Sequence, residues 1–320
     1  MTRTSSLPTD PGFSANLYAN GMLDRLIVEA IAPFRDALVD RDADARLWAI
    51  RYSRRGEHLK LRVHAAIPAA DIEALLRRHA DRFFETAPAR PDEQRTARFD
   101  IPAIDPQDEG DELEADRTVL PTTYQRSEVT LGDSLLFAYD AVIDGMYSAL
   151  AHGFARGLTI ADSEDFATQR LNLLIASIID GLDATSPGQP EERARYLEYH
   201  RDWLLRFFVT ERAGEADLRR HFVDRARVLL RSFALPDTEA PSEDQTTDPW
   251  IESMRHLAAS LEHLPDDLDL DPFAATPSDP VLFKTLHGVA NSFGVHPMNE
   301  AFAYHLLACA VAPAAIEVEA

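Results

Sequence analysis

His58-Leu59-Lys60-Leu61-Arg62-Val63-His64 alternates apolar and basic residues without a break. A strand turns successive side chains to opposite faces, so Leu59, Leu61, Val63 and Ala65 line one face while His58, Lys60, Arg62 and His64 line the other, each about 7 Å from the next. One face is core. The other is a row of cations and potential cations, open to two readings: the solvated outer face of an antiparallel sheet, or the floor of a site for an anion or a carbonyl.

Upstream, Leu47 to Ser53 (LWAIRYS) alternates as well, with Trp48, Ile50 and Tyr52 on one face. The Gly-containing turn from Ser53 to Glu57 joins the two runs, which is a hairpin signal. Before them, the apolar residues between Met22 and Val39 recur at helical spacing, with Pro33 predicting a kink or an early stop near Ala32. Everything earlier reads as a Pro/Ser-rich leader. Downstream, Ala69 to Glu85 has the spacing of a helix, and Ala87 to Thr118, rich in Pro, Asp and Glu, reads as a loop or lid interrupted by a short strand at Arg98 to Ile101. Val119 to Val129 reads as a further strand, entered through Pro121 at a sheet edge.

Beyond Gly132 helical periods dominate. One stripe runs from Leu135 to Phe154, a second helix opens at Asp162 or Ser163 and reaches Leu182, and a third follows Pro190 and buries Tyr196, Tyr199, Trp203 and Leu204. Others are expected at Ala216 to Phe233, Trp250 to His263, Pro280 to Phe293 and Pro297 to Val311, separated by acidic linkers at Leu235 to Asp248 and Pro265 to Pro280. The expected fold is α+β, with a small antiparallel sheet and helices in the N-terminal part and a mostly helical C-terminal part.

The composition narrows the function. At 320 residues and 45% hydrophobic content the chain can bury a sizeable core. Its 32 basic residues against 54 acidic ones leave a net charge of −22, which argues against nucleic acid or an anionic membrane as partner. The two lysines, Lys60 and Lys284, both fall in segments singled out here. Cys309 is the one cysteine, so no intramolecular disulfide or cysteine metal cluster is expected. No apolar signal segment and no membrane-length run is present, and a cytoplasmic protein is expected. Glycine-rich phosphate loops, HExxH, GxSxG and EF-hand patterns are missing.

Three constellations remain. His58, Lys60 and Arg62 share a strand face; Tyr124, Arg126 and Glu128 share another by period-2 alternation; and Lys284, His287 and Asn291 share one face of a late helix. The eleven histidines offer no convincing metal set, since His256 and His263 are seven apart and His296 and His305 nine apart. Tyr199, His200 and Trp203 read as helix packing, and Cys309 as a small buried residue.

The order of segments SANLYANGMLDRLIVEAIAPF (14–34), RLWAIRYSRRGEHLKLRVHA (46–65), TTYQRSEVTLGD (122–133) and FKTLHGVANSFGVHPMNEAFAYHLLACAV (283–311) resembles the C-terminal domain of class I lanthipeptide dehydratases, with stand-alone relatives in thiopeptide pathways. Ile50-Arg51-Tyr52 matches the family's IRY-type strand, His58-Leu59-Lys60-Leu61-Arg62 its HLRLR strand, and Leu286-His287, Asn291 and Gly294 its late LHxHxNRLG helix. The resemblance implies one domain over 14–311, with an α/β part at about 14–131, a helical part at about 132–311, and tails at 1–13 and 312–320. It also implies a cofactor-free enzyme acting on a ribosomally made, leader-bearing precursor peptide, working with a separate dehydratase or alone. The apolar helices carrying Phe207, Phe208 and Phe222 leave a homodimer open.

Two chemistries follow from the resemblance: elimination of glutamate from glutamylated Ser or Thr, and [4+2] cycloaddition of two dehydroalanines to a pyridine-type ring with loss of water and leader. Elimination needs a base for the Cα proton and cations for the departing carboxylate. Cycloaddition needs two peptide segments held in register, donors that favour the imidic-acid tautomer, and an acid for dehydration. Thr130 stands where eliminating members carry a second arginine, Asp133 where they carry a glycine, and Val289 and Ser292 where the late helix carries His and Arg. The thinned charge places cyclisation ahead of glutamate elimination, with a non-catalytic peptide- or partner-binding protein as the third reading. On this resemblance His287, Tyr124 and Arg62 are expected to be catalytic, and His58, Lys60, Arg126, Lys284 and Asn291 to hold substrate.

Overall fold

A computed structural model describes residues 12–53, 55–87, 113–125, 139–155, 166–185, 190–208, 212–230, 248–262, 276 and 278–311. The chain divides into two compact units, Met1–Phe166 and Ala167–Ala320. The first holds a four-stranded antiparallel sheet built from β1 (Phe13–Tyr18), β2 (Arg46–Tyr52), β3 (His58–His64) and β4 (Thr118–Pro121) in the order β2-β3-β1-β4. With the helices, this is the expected α+β architecture.

The β2–β3 hairpin forms in the register the alternation implies, Trp48 opposite Arg62, Ile50 opposite Lys60 and Tyr52 opposite His58. Its turn is closed by Gly56 N–H donating to the Ser53 carbonyl at 3.2 Å, with Gly56 at φ +108°, a conformation costly to a residue with a Cβ. β1 corrects the reading of the first residues as leader: it is a central strand, pairing Ser14, Asn16 and Tyr18 with Arg62, Lys60 and His58. β4 is an edge strand, but it ends at Pro121, where the expected strand enters: residues 122–125 are not strand, so Tyr124 does not lie on a period-2 strand face, and residues 126–129 of the expected continuation lie outside the described residues, as does the expected strand at 98–101.

The apolar face, with Ala15, Leu17, Leu59, Leu61 and Val63 fully buried, is the core side. Helical residues run without interruption through α1 (Leu23–Leu26), a π-helical turn (Ile27–Ile31) and α2 (Ala32–Val39), so Pro33 does not stop the helix. The wider π turn lies immediately before the proline, where the missing N–H and the ring would otherwise disturb the preceding turn. α3 (Ala69–Thr86) buries Ile72, Leu75, Leu76, Phe83 and Phe84, and α4 (Tyr139–Ala155) packs on β2, with Arg46 pairing Asp144 at 2.6 Å.

The second unit is helical: α5 (Phe166–Thr185), α6 (Pro190–Phe208), α7 (Arg212–Leu230), α8 (Pro249–Leu261), α9 (Ser278–Phe293) and α10 (Pro297–Val311). The fully buried Trp250 donates its indole N–H to the Ser177 carbonyl at 3.1 Å, and Gly181 leaves room for it. Trp250→Ala removes that bond and opens a cavity, and a loss of about 3–5 kcal/mol is expected in chemical denaturation of this unit. Phe222 packs on Phe302 and His305 inside the unit, so its apolar surface is used within the chain. No described helix is long and apolar enough to cross a membrane.

Candidate functional site

In the first unit the basic row on β3 is not solvated. His58, Lys60 and Arg62 are 0%, 3% and 1% exposed, which rules out the outer-face reading; His64 alone is half-buried. Cross-strand neighbours make the row a polar floor: Ser14, Asn16 and Tyr18 from β1 on one side, Trp48, Ile50 and Tyr52 from β2 on the other. Aromatic rings lie against the cations. Lys60 Nζ sits 4.4 Å from the centroid of Tyr52, and the Arg62 guanidinium 5.9 Å from that of Trp48, distances at which a ring quadrupole attracts a cation. Tyr124, half-buried, meets Trp48 edge-on at 6.3 Å, so Trp48 is in contact with both Arg62 and Tyr124. Arg62 Nη1 also donates to the Leu61 carbonyl at 3.0 Å. Arg126 lies outside the described residues.

His58, a potential cation by its sequence, is held neutral here. Its Nδ1 is 2.8 Å from the Gly56 carbonyl, an acceptor, so Nδ1 carries the proton and the lone pair is on Nε2. Burial, against the smaller opposing effect of that hydrogen bond, drives its pKa down to about 3, and Lys60 and Arg62 push the same way. His58 is therefore a neutral acceptor between Tyr18 at 4.6 Å and Tyr52 at 5.5 Å. Among the described residues His58 Nε2, Ser14 Oγ, Asn16 Oδ1 and Trp48 Nε1 are buried without a hydrogen-bond partner, all on this face. Ser14, Asn16 and Trp48 escaped the sequence reading because their role depends on pairing across the sheet.

In the second unit Lys284, His287 and Asn291 share the partly exposed face of α9, while Phe283, Leu286, Val289 and Ala290 are buried. Asp279, near the start of α9, is 1% exposed and accepts from Arg195 of α6 at 2.8 Å and from Thr276 N–H at 3.0 Å, which anchors that end of the helix. At the other end Gly294, at φ +69°, donates to Asn291 O and Val295 to Ala290 O, both at 2.9 Å, a Schellman stop. His296 then caps α10, its Nδ1 accepting from Met298 N–H at 3.2 Å, and Pro297 opens the new helix. This reversal carries Glu300 back to His287.

Glu300 is fully buried and its Oε2 lies 2.9 Å from His287 Nδ1, with the His287 side chain 26% exposed. Burial raises the pKa of Glu300 and His287 draws it back. His200, read from the sequence as packing, belongs to the same network: Tyr196 Oη is 2.9 Å from its Nδ1, and its Nε2 is 3.7 Å from Glu300 Oε1. Tyr304 stacks on His200 with ring centroids 3.8 Å apart, and Phe283 lies parallel to His287 at 5.5 Å. Trp203 is only half-buried, tilted against Phe283. Glu300 and His200 lie 13 and 87 positions from His287, and only the folded helices bring them together. Cys309 is buried, 3.6 Å from His305 Nε2. Among the described residues no cluster of three or more His, Cys, Asp or Glu side chains is arranged to hold a metal ion.

His58, His200 and His305 share a pH consequence. Burial depresses all three, His305 to about 4, so below their ordinary value near 6.5 the unfolded chain binds protons that the folded chain refuses. Stability is full above about pH 6.5 and falls as pH drops from there toward 4, each histidine steepening the fall by up to about 1.4 kcal/mol per pH unit. Urea unfolding at pH 7, 6 and 5 should show that slope, and His58→Phe should lower it by one proton.

A family model described as "Lantibiotic biosynthesis dehydratase C-term" matches residues 13–311. Among solved structures, the pyridine synthase TbtD from thiomuracin biosynthesis superposes with a TM-score of 0.64 at 17% identity, covering 96% of this chain and 99% of its own. The tRNA-dependent lantibiotic dehydratase MibB from Microbispora sp. 107891 gives a TM-score of 0.50 at 15% identity over 99% of this chain, which spans 29% of MibB. At these identities the two likenesses show a shared fold. No curated protein matches by sequence.

Proposed function

The chain belongs to the lantibiotic biosynthesis dehydratase C-terminal family, and from that premise we propose that it is a cofactor-independent enzyme maturing a ribosomally made, leader-bearing peptide by [4+2] cycloaddition of dehydroalanines. The observation that carries the choice of reaction is the complete burial of His58 with its Nδ1 2.8 Å from the Gly56 carbonyl, which leaves Nε2 as an acceptor. Glutamate elimination needs cations for a departing carboxylate, and the row on β3 supplies two, Lys60 and Arg62, flanked by a neutral acceptor rather than a third charge. Thr130, where eliminating members carry arginine, withholds another.

A floor of two cations with the unpartnered polar atoms of Ser14, Asn16, Trp48 and His58 suits amide groups, which need donors and acceptors together. In this reading Arg62 and Lys60 polarise the reacting amide carbonyl toward its imidic-acid tautomer, His58 accepts the amide N–H, and Tyr124 donates to the developing oxyanion. His287 moves the proton in dehydration and leader loss, and Lys284, Asn291 and Arg126 hold the peptide. The fold shared with a pyridine synthase supports the same choice. Glutamate elimination is the second reading, favoured by the fold shared with a lantibiotic dehydratase.

The test gives the protein two leader-bearing peptides, one containing dehydroalanines and one glutamylated. Leader release with a new aromatic absorbance from the first is the expected result. Glutamate release from the second would install the lyase reading, and binding of both without change would make the protein a non-catalytic partner.

A further inference from the structure

We infer that Glu300 is a positioning residue for His287, with the Tyr196–His200 pair packed behind it, so that two hydrogen-bonded pairs, Tyr196–His200 and Glu300–His287, meet across a 3.7 Å contact between His200 and Glu300. The inference rests on the reading of His287 as the acid–base group. It concerns three residues that neither the strand motif nor the late-helix motif contains.

The direction of every proton in the two pairs follows from the buried end. Burial raises the Tyr196 phenol well above its ordinary value, so it stays protonated and donates to His200 Nδ1 at 2.9 Å. Burial likewise pushes His200 well down, so its ring is neutral, and with Nδ1 accepting, its proton is on Nε2. That Nε2 lies 3.7 Å from Glu300 Oε1, a contact longer than a hydrogen bond, and neither atom has a hydrogen-bond partner among the described residues. The other carboxylate oxygen, Oε2, accepts from His287 Nδ1 at 2.9 Å.

The hydrogen bond from His287 favours the ionised carboxylate, against the burial that raises its pKa. With Nδ1 committed to Glu300, the neutral His287 ring carries its lone pair on Nε2, on the exposed side of α9 beside Lys284 and Asn291. The carboxylate fixes the tautomer and orientation of the ring, the relation that makes an orienting carboxylate valuable behind a histidine base. The rings have little freedom to leave this arrangement. Tyr304 and Phe283 contact His200 with centroids 3.8 and 4.2 Å away, and Phe283 lies within 8° of parallel to His287.

Long-range proton–nitrogen correlation spectra of the full-length protein labelled with nitrogen-15 histidine test this without any peptide. His287, assigned by the signals lost in His287→Gln, should be in the Nδ1–H tautomer. Glu300→Gln, whose amide can donate to Nδ1, should raise the Nε2–H tautomer and lower kcat by about 10²-fold or more with KM little changed, and Glu300→Asp should recover part of the rate. A wild-type His287 in the Nε2–H tautomer would overturn the inference, as would Glu300→Gln with tautomer and kcat both unchanged. If Glu300→Gln fails to fold, the wild-type spectrum decides. A wild-type protein inert toward both peptides would instead remove the catalytic reading beneath it, whatever the tautomer.

Discussion

Replacing His287 by alanine is expected to lower kcat by about 10²–10⁴-fold, the range for losing a general acid–base group, while peptide affinity stays nearly intact. The asymmetry comes from position. His287 reaches solvent from a helix whose other face is core, so its removal takes one imidazole from the site and leaves the remaining surface in place. His287→Ala also strands the buried Glu300, an effect on stability rather than chemistry. His287→Gln separates the two, because a side-chain amide can still donate to Glu300 but cannot exchange protons. Both variants should be equally inactive, with His287→Gln the more stable; an active His287→Gln would remove His287 from the chemistry.

Arg62→Met should produce the second large loss, about 10²–10³-fold in kcat/KM, the scale for deleting one donor aimed at developing negative charge. Methionine keeps much of the side chain's volume on the central strand β3 and discards the charge. Methionine removes the desolvation cost of the buried guanidinium together with its hydrogen bonds to backbone carbonyls, so the folded state should persist while activity falls. Stopped-flow or end-point turnover with circular dichroism on the same sample checks both at once. Activity preserved in a well-folded Arg62→Met would mean that the guanidinium serves the sheet, through its bonds to the Leu61 and Ala15 carbonyls, and not the substrate.

The hairpin was legible in the sequence because both strands alternate and the turn carries a glycine. β1 was not. Phe13-Ser14-Ala15-Asn16-Leu17-Tyr18 is six residues with small and polar members in the middle, and what makes it a strand is pairing with residues more than forty positions away, such as Leu17 with Leu59. The burial of His58, Lys60 and Arg62 was beyond reach for a related reason: alternation assigns residues to faces but does not say what covers a face. The face of Lys284, His287 and Asn291 could be read from local spacing, since three and four residues are neighbours on a helix. Its partner Glu300 could not, because the contact depends on the reversal at Gly294. Neutral His58 was likewise hidden, its state being set by burial against the smaller opposing effect of the Gly56 carbonyl.

On the proposed reading the reaction involves amides and not a leaving glutamate, and the mass of the product reports on that directly. Intact-mass analysis of a dehydroalanine-containing, leader-bearing peptide after incubation with the protein should show two species, a released leader fragment and a core product, whose summed mass falls short of the substrate by one water. An unchanged dehydrated peptide beside a glutamylated one that sheds its glutamate would contradict the account.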